Sequence, residues 1–317
     1  MILRPTRALA VAVSILAAVL VSPSTAHSAT KKKKPARKPA PTRRAAAPPL
    51  DTASGGTLQE RLASLVNGSV ARSSDASIQI VELESGSVLA ERNPHQPLAP
   101  ASNMKLFTTG AAIDLLKPSF EVTTAVFVRG NVRPDGTLDG DVKVVGRGDP
   151  TIGGRFHDGR ATAVIDEWTS DLKRAGVKTV SGNLIFEYGY FDTEYIHPTW
   201  PVDQLVNWYE APVSSFSMQE GCVQVRVMPS RAGKPCVVLF EPPTGYLGLQ
   251  NSCVTGRGLP FITRLRNSNT IIVRGGVPSK TGPTEVFVTV ENPIQYFASV
   301  TYEAFVRDGI SVKGEIV

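Results

Sequence analysis

The chain has 317 residues, of which 42% are hydrophobic and 20% charged. These values are ordinary for globular proteins, so they exclude a wholly disordered chain and a protein with many membrane spans. The net charge of +6 comes from residues 1–50, which hold ten Lys or Arg and no Asp or Glu, and the remainder carries −4. Because the folded part has no basic surplus, nucleic acid is excluded as a partner.

A signal peptide is predicted over residues 1–28. Arg4 and Arg7 precede an apolar run over 8–21, and the small residues over 24–29 allow a signal peptidase to cut after Ala26 or Ser28. The run is shorter than the roughly 20 apolar residues that a spanning helix needs. We therefore expect secretion across the cytoplasmic membrane to a periplasmic or other extracytoplasmic location.

Residues 29–56 form a basic segment rich in Pro and Ala. The segment includes four consecutive lysines, Lys31 to Lys34, and has too few apolar residues to build a core. This composition predicts an extended linker. A second interpretation is peripheral contact of this basic tail with anionic lipid or wall polymer at the cell envelope.

The first folded unit is predicted over residues 57–118. Helical spacing of apolar residues indicates a helix over 57–66, and two short apolar strands about a Ser-Gly turn indicate a hairpin over 77–90. Prolines between residues 94 and 100 forbid regular structure there. A second helix is then expected to open at residue 101 or 102 and to run to Pro118.

A β-rich insert is predicted over residues 119–291. It begins with two strands about a Pro-Asp-Gly turn at 134–136, and an amphipathic helix follows over 161–175. Further strands are expected at 179–191, 213–228, 236–256 and 268–290. An Asn-Pro pair then opens a last helix, and residues 292–317 form this helix and a final strand.

Three cysteines, Cys222, Cys236 and Cys253, lie within 32 residues of one another. In an exported protein this grouping predicts one disulfide with one thiol left over, and the spacing does not say which two pair. Metal binding is disfavoured because no Cys-x-x-Cys spacing occurs and the histidines are scattered. We predict neither a metal nor another cofactor.

A Ser followed three residues later by Lys places both side chains on one face of a helix, where the amine can take the hydroxyl proton. The pattern occurs at Ser28–Lys31, Ser170–Lys173 and Ser102–Lys105. Only Ser102 lies at the start of a predicted helix, where free backbone N–H groups favour a developing oxyanion. The alternative interpretation makes Ser102 an N-cap and leaves Lys105 solvated.

The residues around Ser102 favour the catalytic interpretation. The segment Leu98 to Ala112, with Ser102-Asn103-Met104-Lys105 at its centre, closely resembles the nucleophile segment of the D-alanyl-D-alanine carboxypeptidase/endopeptidase family, the class C low-molecular-mass penicillin-binding proteins of peptidase family S13. The resemblance extends through about Ser77 to Val317. It includes the segments Ser85-Gly86, Gly146 to Pro150, Val180 to Leu184, Tyr209 to Ser214 and Asn292-Pro293.

This resemblance implies an α+β fold, a partial serine β-lactamase/penicillin-binding transpeptidase-like domain with a large β-rich insert, and a return to that domain over 292–317. It implies that Ser102 is the nucleophile that forms an acyl-enzyme and that Lys105 is its general base. The implied substrates are peptidoglycan stem peptides ending in D-Ala-D-Ala. β-Lactams are the implied inhibitors, because their strained amide mimics the substrate.

The family completes its site with a Ser-x-Asn motif and a strand-borne Lys-Thr-Gly. Ser181-Gly182-Asn183 and Lys280-Thr281-Gly282 match by letter. We interpret the first triplet as a turn within the insert and the second, between two prolines, as the tip of a hairpin. On this interpretation the chain lacks the C-terminal part of the catalytic domain.

Two alternatives to a complete enzyme follow from the candidate Ser-x-Asn and Lys-Thr-Gly motifs. The chain can be a truncated or non-catalytic protein that binds peptidoglycan or has a structural role in the envelope. If both triplets were catalytic, their order and spacing would instead resemble a class A β-lactamase.

Overall fold

The structure, a computed structural model, describes residues 56–317. The predicted signal peptide and nearly all of the predicted linker lie outside the described residues. The described chain divides near residue 119 into a first unit, residues 56–119, and a second unit, residues 120–317. No helix within these residues is both long and apolar enough to cross a membrane.

The first unit holds three helices and a two-stranded sheet: α1 (Leu58–Val66), α2 (Ser69–Arg72), β1 (Ile78–Val81), β2 (Val88–Arg92) and α3 (Met104–Leu116). A capping box opens α1, because Thr57 and Glu60 each accept a backbone hydrogen bond from the other. β1 and β2 pair antiparallel. The predicted first helix and hairpin are therefore confirmed.

The second predicted helix also forms. A 3₁₀ turn over Ala101–Asn103 leads directly into α3, which ends at Leu116, two residues before Pro118. The residue before a proline is biased away from helical backbone, so this end follows from the sequence. α3 buries none of its own residues against the rest of the described chain.

The second unit holds two helices and twelve strands: β3 (Ala125–Val132), β4 (Thr137–Val145), α4 (Ala163–Arg174), β5 (Thr179–Val180), β6 (Leu184–Glu187), β7 (Cys222–Met228), β8 (Val237–Glu241), β9 (Gly248–Asn251), β10 (Val254–Thr255), β11 (Pro260–Arg264), β12 (Thr270–Val277), β13 (Thr284–Thr289), α5 (Pro293–Arg307) and β14 (Ser311–Val312).

A mixed five-stranded sheet has the order β14-β5-β4-β3, with β6 also beside β4. β3 and β4 form the predicted antiparallel pair, whereas β5, β6 and β14 add parallel strands. Gly130 and Gly140 lie opposite each other across β3 and β4, and a Cβ on either would come within 2.2 Å or 1.9 Å of the facing carbonyl oxygen. Only glycine allows that close approach of the two strands.

Two smaller sheets complete the unit. One has the order β13-β7-β8, and the other has the order β10-β12-β11 with β9 also paired to β12. β11 was not predicted. It is five residues long, and its first residue is Pro260, which is a weak strand signal on its own. Antiparallel pairing with β12 makes it a strand.

One hydrophobic core joins the helices of the second unit to its sheets. Trp168 of α4 and Phe297 of α5 pack with Phe186 and Phe216, and the rings of Phe216 and Phe297 stack with centroids 4.7 Å apart. β14 then pairs with β5 in the same unit. Residues 292–317 therefore lie in the second unit, where the apolar face of α5 is buried in the core of the insert. Their return to the transpeptidase-like domain stays a prediction.

The three cysteines are buried free thiols, so the predicted disulfide is not formed in the structure. Cys222 lies on β7, and burial raises the pKa of its thiol to about 12. Cys236 and Cys253 lie side by side, with sulfur atoms 2.9 Å apart and a backbone hydrogen bond of 2.8 Å from Cys236 N to Cys253 O. Burial and the neighbouring Cys236 raise the pKa of the Cys253 thiol to about 12.

Candidate active site

Ser102 and Lys105 meet where the 3₁₀ turn joins α3. Ser102 is the middle residue of the turn, and Lys105 is the second residue of the helix. Because helical backbone brings residues three apart onto one face, Lys105 Nζ donates a hydrogen bond to Ser102 Oγ at 3.1 Å. The candidate nucleophile and the candidate base are within the distance that proton transfer requires.

The same hydrogen bond bears on the N-cap interpretation of Ser102. Its hydroxyl is bonded to Lys105 Nζ and makes no capping hydrogen bond to a backbone N–H of α3. Asn103, at the N-cap position, makes no side-chain cap either. The N-cap interpretation of Ser102 is therefore wrong, and the N–H groups of the first turn have no side-chain partner in the described residues.

The backbone before Ser102 is unusual. Ala101 has a φ of +45°, in the left-handed region that residues with a Cβ rarely adopt. Such a conformation costs about 1–2 kcal/mol and is found most often at functional sites. This backbone was not predictable from the sequence, since an alanine between Pro100 and Ser102 carries no marker for left-handed backbone.

In the other Ser-x-x-Lys pair of the described chain, both side chains make hydrogen bonds to the backbone. Ser170 Oγ donates to the backbone oxygen of Asp166 at 2.7 Å, and Lys173 Nζ donates to the backbone oxygen of Asp308 at 2.9 Å. The Ser170 bond lies within α4, and the Lys173 bond secures α4 to the end of α5. Ser28 and Lys31 lie outside the described residues.

Ser181-Gly182-Asn183 is a structural turn. Ser181 Oγ accepts from Gly140 N at 3.2 Å, and Asn183 Oδ1 accepts from Glu315 N at 2.8 Å. Asn183 N donates to Asp141 Oδ1 at 2.8 Å. The triplet thus connects β4 to the final strand of the mixed sheet, as expected for a turn within the insert.

Lys280-Thr281-Gly282 lies in the connection between β12 and β13, and Thr281 Oγ1 donates to Pro278 O at 2.8 Å. These two strands belong to different sheets. The expected hairpin is therefore wrong, because the connection passes from one sheet to another. The sequence predicted that this triplet does not lie on a strand, and the structure agrees.

Two further segments of the resemblance meet in the second unit. Gly148 N donates to Ser215 O at 2.8 Å, and Ser215 Oγ donates to Tyr188 O at 2.5 Å. Asp149, which is buried, accepts from the backbone N and the hydroxyl of Thr151. These hydrogen bonds stabilise the insert. Within residues 56–317, no three His, Cys, Asp or Glu side chains converge to hold a metal ion.

The fold is similar to that of solved penicillin-binding proteins. A crystal structure of penicillin binding protein 4 (dacB) from Haemophilus influenzae matches with a TM-score of 0.62 at 19% identity, over 77% of this chain and 54% of that chain. A second crystal structure of that protein, complexed with a β-lactam, matches with a TM-score of 0.53 at 17% identity, over 77% of this chain and 52% of that chain.

The model of the D-Ala-D-Ala carboxypeptidase 3 (S13) family matches residues 58–317, and the chain belongs to this family. The D-alanyl-D-alanine carboxypeptidase of Actinomadura sp. (strain R39) is 30% identical over 285 residues, which are 86% of this chain and 51% of that protein. D-alanyl-D-alanine carboxypeptidase DacB of Haemophilus influenzae is 22% identical over 73% of this chain and 47% of that protein. The family and the α+β class expected from the sequence are confirmed.

The chain spans about half the length of these curated relatives. The matched half includes the segment that carries Ser102 and Lys105.

Proposed function

We propose that this chain acts in a serine-type D-Ala-D-Ala carboxypeptidase/endopeptidase of peptidoglycan, with Ser102 as nucleophile and Lys105 as general base. The observation that carries the proposal is the 3.1 Å hydrogen bond between these two side chains at the start of α3. Family membership over residues 58–317 supports the substrate class, since the family is named for D-Ala-D-Ala carboxypeptidase.

The reaction follows from the geometry. A neutral Lys105 amine accepts the Ser102 proton as Oγ attacks the carbonyl of the penultimate D-Ala, and N–H groups of the first helical turn stabilise the oxyanion. The C–N bond breaks, the terminal D-Ala leaves with the proton, and an ester remains on Ser102. Water hydrolyses that ester and restores the enzyme.

A β-lactam enters the same first step. Attack by Ser102 Oγ on the strained ring amide gives an acyl-enzyme whose leaving group stays tethered, so deacylation is slow. The solved complex of the Haemophilus influenzae protein with a β-lactam supports this class of inhibitor. Export through residues 1–28 would place Ser102 outside the cytoplasm with its substrate, and the basic segment over 29–56 would give a peripheral envelope contact.

A second candidate is peptidoglycan binding without hydrolysis. Both candidate triplets for completing the site lie in the second unit, where their side chains and backbone serve structural turns. Positioning groups contribute about 7–11 kcal/mol to catalysis, so a chain with only Ser102 and Lys105 in place would acylate very slowly. These structural turns also remove the basis for the class A β-lactamase alternative.

The test is covalent labelling by a fluorescent penicillin. Wild-type chain and Ser170→Ala are expected to be labelled equally, and Ser102→Ala is expected to show no label although it folds normally. Labelling that survives Ser102→Ala would refute the assignment of the nucleophile. A wild type that binds peptidoglycan but takes no label would favour the non-catalytic candidate.

A further inference from the structure

A cavity of about 450 Å³ opens in the second unit, between the loop over 150–159 and the start of β7. Three aromatic side chains line it and are unusually exposed for their size: Trp208 is 62% exposed, Phe287 46% and Phe156 43%. Exposed aromatic rings grouped around a cavity are typical of a binding site rather than of a core. Neither Ser102 nor Lys105 lines this cavity.

The polar groups of the cavity are held in fixed positions. Gln219 is buried, and its Oε1 accepts a hydrogen bond of 2.6 Å from Gly154 N. Arg155 pairs with Glu220 at 2.8 Å at the rim, and Gln224 Nε2 donates to Glu285 at 3.0 Å. Planar amide and carboxylate groups therefore line the same space as the aromatic rings.

The wall is built on strained backbone. Gln219 and Glu220 are consecutive residues with φ of +51° and +58°, a left-handed conformation that residues with a Cβ rarely adopt. A Cβ on Gly153 would lie 2.8 Å from Gln219 Oε1 and 3.1 Å from Gln219 Cα, so glycine is needed for this approach. Strain that the surroundings enforce is found preferentially at ligand-binding positions.

The charged residues that line the cavity limit the charge and polarity of a ligand that can bind there. Arg155 and Glu220 are the only charged residues that line the cavity among those described, and they pair with each other. An anionic ligand would find no free cation there. A wholly apolar ligand would remove water from the ion pair and from the Gln224 amide without replacing the lost hydrogen bonds.

We infer that this cavity binds a neutral N-acetylhexosamine unit of a glycan strand. A pyranose ring presents an apolar C–H face that packs on Trp208, while its hydroxyl and acetamido groups hydrogen-bond to amide, carboxylate and guanidinium groups. The volume of about 450 Å³ lies within the range of about 300–1,000 Å³ that is typical of small-molecule sites. Identifying the glycan as that of peptidoglycan rests on the proposed function, whereas sugar binding itself does not.

The experiment is calorimetric titration of the whole chain with chitotriose, an uncharged N-acetylglucosamine trimer. Saturable binding is expected, weakened at least tenfold by Trp208→Ala and by Phe156→Ala. Phe261→Ala is the matched control, because Phe261 is a similarly exposed aromatic of β11 that does not line the cavity. Circular dichroism checks that each variant is folded.

Two comparison ligands make the test specific. A D-Ala-D-Ala pentapeptide and an uncharged, leucine-rich peptide are expected to compete poorly for the cavity. Absence of saturable chitotriose binding, equal weakening by Phe261→Ala, or tighter binding of the leucine-rich peptide at Trp208 would each overturn the inference. Ser102→Ala should bind chitotriose normally, so a failure of the proposed catalytic role would be seen separately in penicillin labelling.

Discussion

Helices α3 and α5 are similar in length and rich in apolar residues, but the structure uses them differently. α5 buries its apolar side chains, including Tyr296, Phe297 and Phe305, in the core of the second unit. α3 buries no residue in the described chain, and its large apolar side chains are exposed: Met104, Leu106, Phe107, Ile113, Leu115 and Leu116.

The difference shows what each helix requires. α5 has one apolar face, which one neighbouring core covers, and its other face is polar. α3 is apolar around its circumference, the composition of a helix that is surrounded by protein. No described residue covers the apolar surface of α3. We therefore expect α3, the helix of the candidate base Lys105, to bind other apolar surfaces.

The largest effect is expected on the rate of penicillin acylation when the candidate base, Lys105, is changed. Lys105→Arg should slow penicillin acylation by a factor of roughly 10²–10⁴, nearly as much as Lys105→Ala, because a guanidinium stays protonated and cannot accept the serine proton. Lys173→Arg, at the same spacing from Ser170 in the second unit, should leave acylation unchanged. Near-normal acylation by Lys105→Arg would place the base elsewhere.

The two helices should differ sharply when an aromatic ring is removed. Phe297→Ala in α5 should lower the free energy of unfolding of the second unit by about 3–5 kcal/mol, since the ring is fully buried against Phe216. Phe107→Ala in α3, where the ring is 70% exposed, should change stability by less than about 0.5 kcal/mol. Denaturant unfolding measures both, and similar losses in the two variants would mean that α3 is covered after all.

The cysteines provide a smaller contrast within the second unit. Refolding in the presence of oxidised glutathione should link Cys236 to Cys253, since the fold brings their sulfur atoms into contact, with two protons and two electrons passing to the glutathione disulfide. Closing this short loop should stabilise the unit by about 2–3 kcal/mol. Cys222→Ser should not prevent the link, and peptide mapping that finds Cys222 in the disulfide would contradict the assignment.

The smallest effect is expected where the ends of α4 and α5 meet. A hydrogen bond from Arg307 holds the pKa of Asp308 below its usual range, and a second hydrogen bond from Thr169 lowers this pKa further. Burial of the carboxylate acts in the opposite direction but is outweighed. Its charged form thus favours the folded state, and this stability is present at neutral pH and lost as the pH falls below about 4 through the folded pKa.

Asp308→Asn should therefore lower the free energy of unfolding at pH 7 by about 1 kcal/mol and reduce its acid dependence. Asp158→Asn is the matched control, because Asp158 is exposed and takes part in no ion pair of the described chain. Urea unfolding at pH 7 and pH 3 compares the two. Equal pH dependence in both variants would show that Asp308 contributes nothing by its charge.

Much of the local structure was predictable because its signals lie within a few residues. The helix over Leu58–Val66, the turn between β3 and β4, and the Asn-Pro start of α5 all form as expected. The contact between Ser102 and Lys105 belongs to the same group, because helical spacing alone brings residues three apart together.

Features that depend on distant partners were not predictable. β11 becomes a strand by pairing with β12, and the connection at Lys280 joins two sheets where the sequence suggested one hairpin. The aromatic group of Phe156, Trp208 and Phe287 comes from three separate segments without any shared motif. Its assembly depends on how the sheets pack.

The sequence by itself determined the family, the candidate nucleophile and its base, since these are properties of a short segment whose geometry is local. Only the tertiary structure decided that residues 292–317 belong to the second unit, that the connection at Lys280 joins two sheets, and that α3 is exposed. The physical reason is that burial is a property of what packs against a segment. An apolar helix has the same sequence signal whether or not a core is present to cover it.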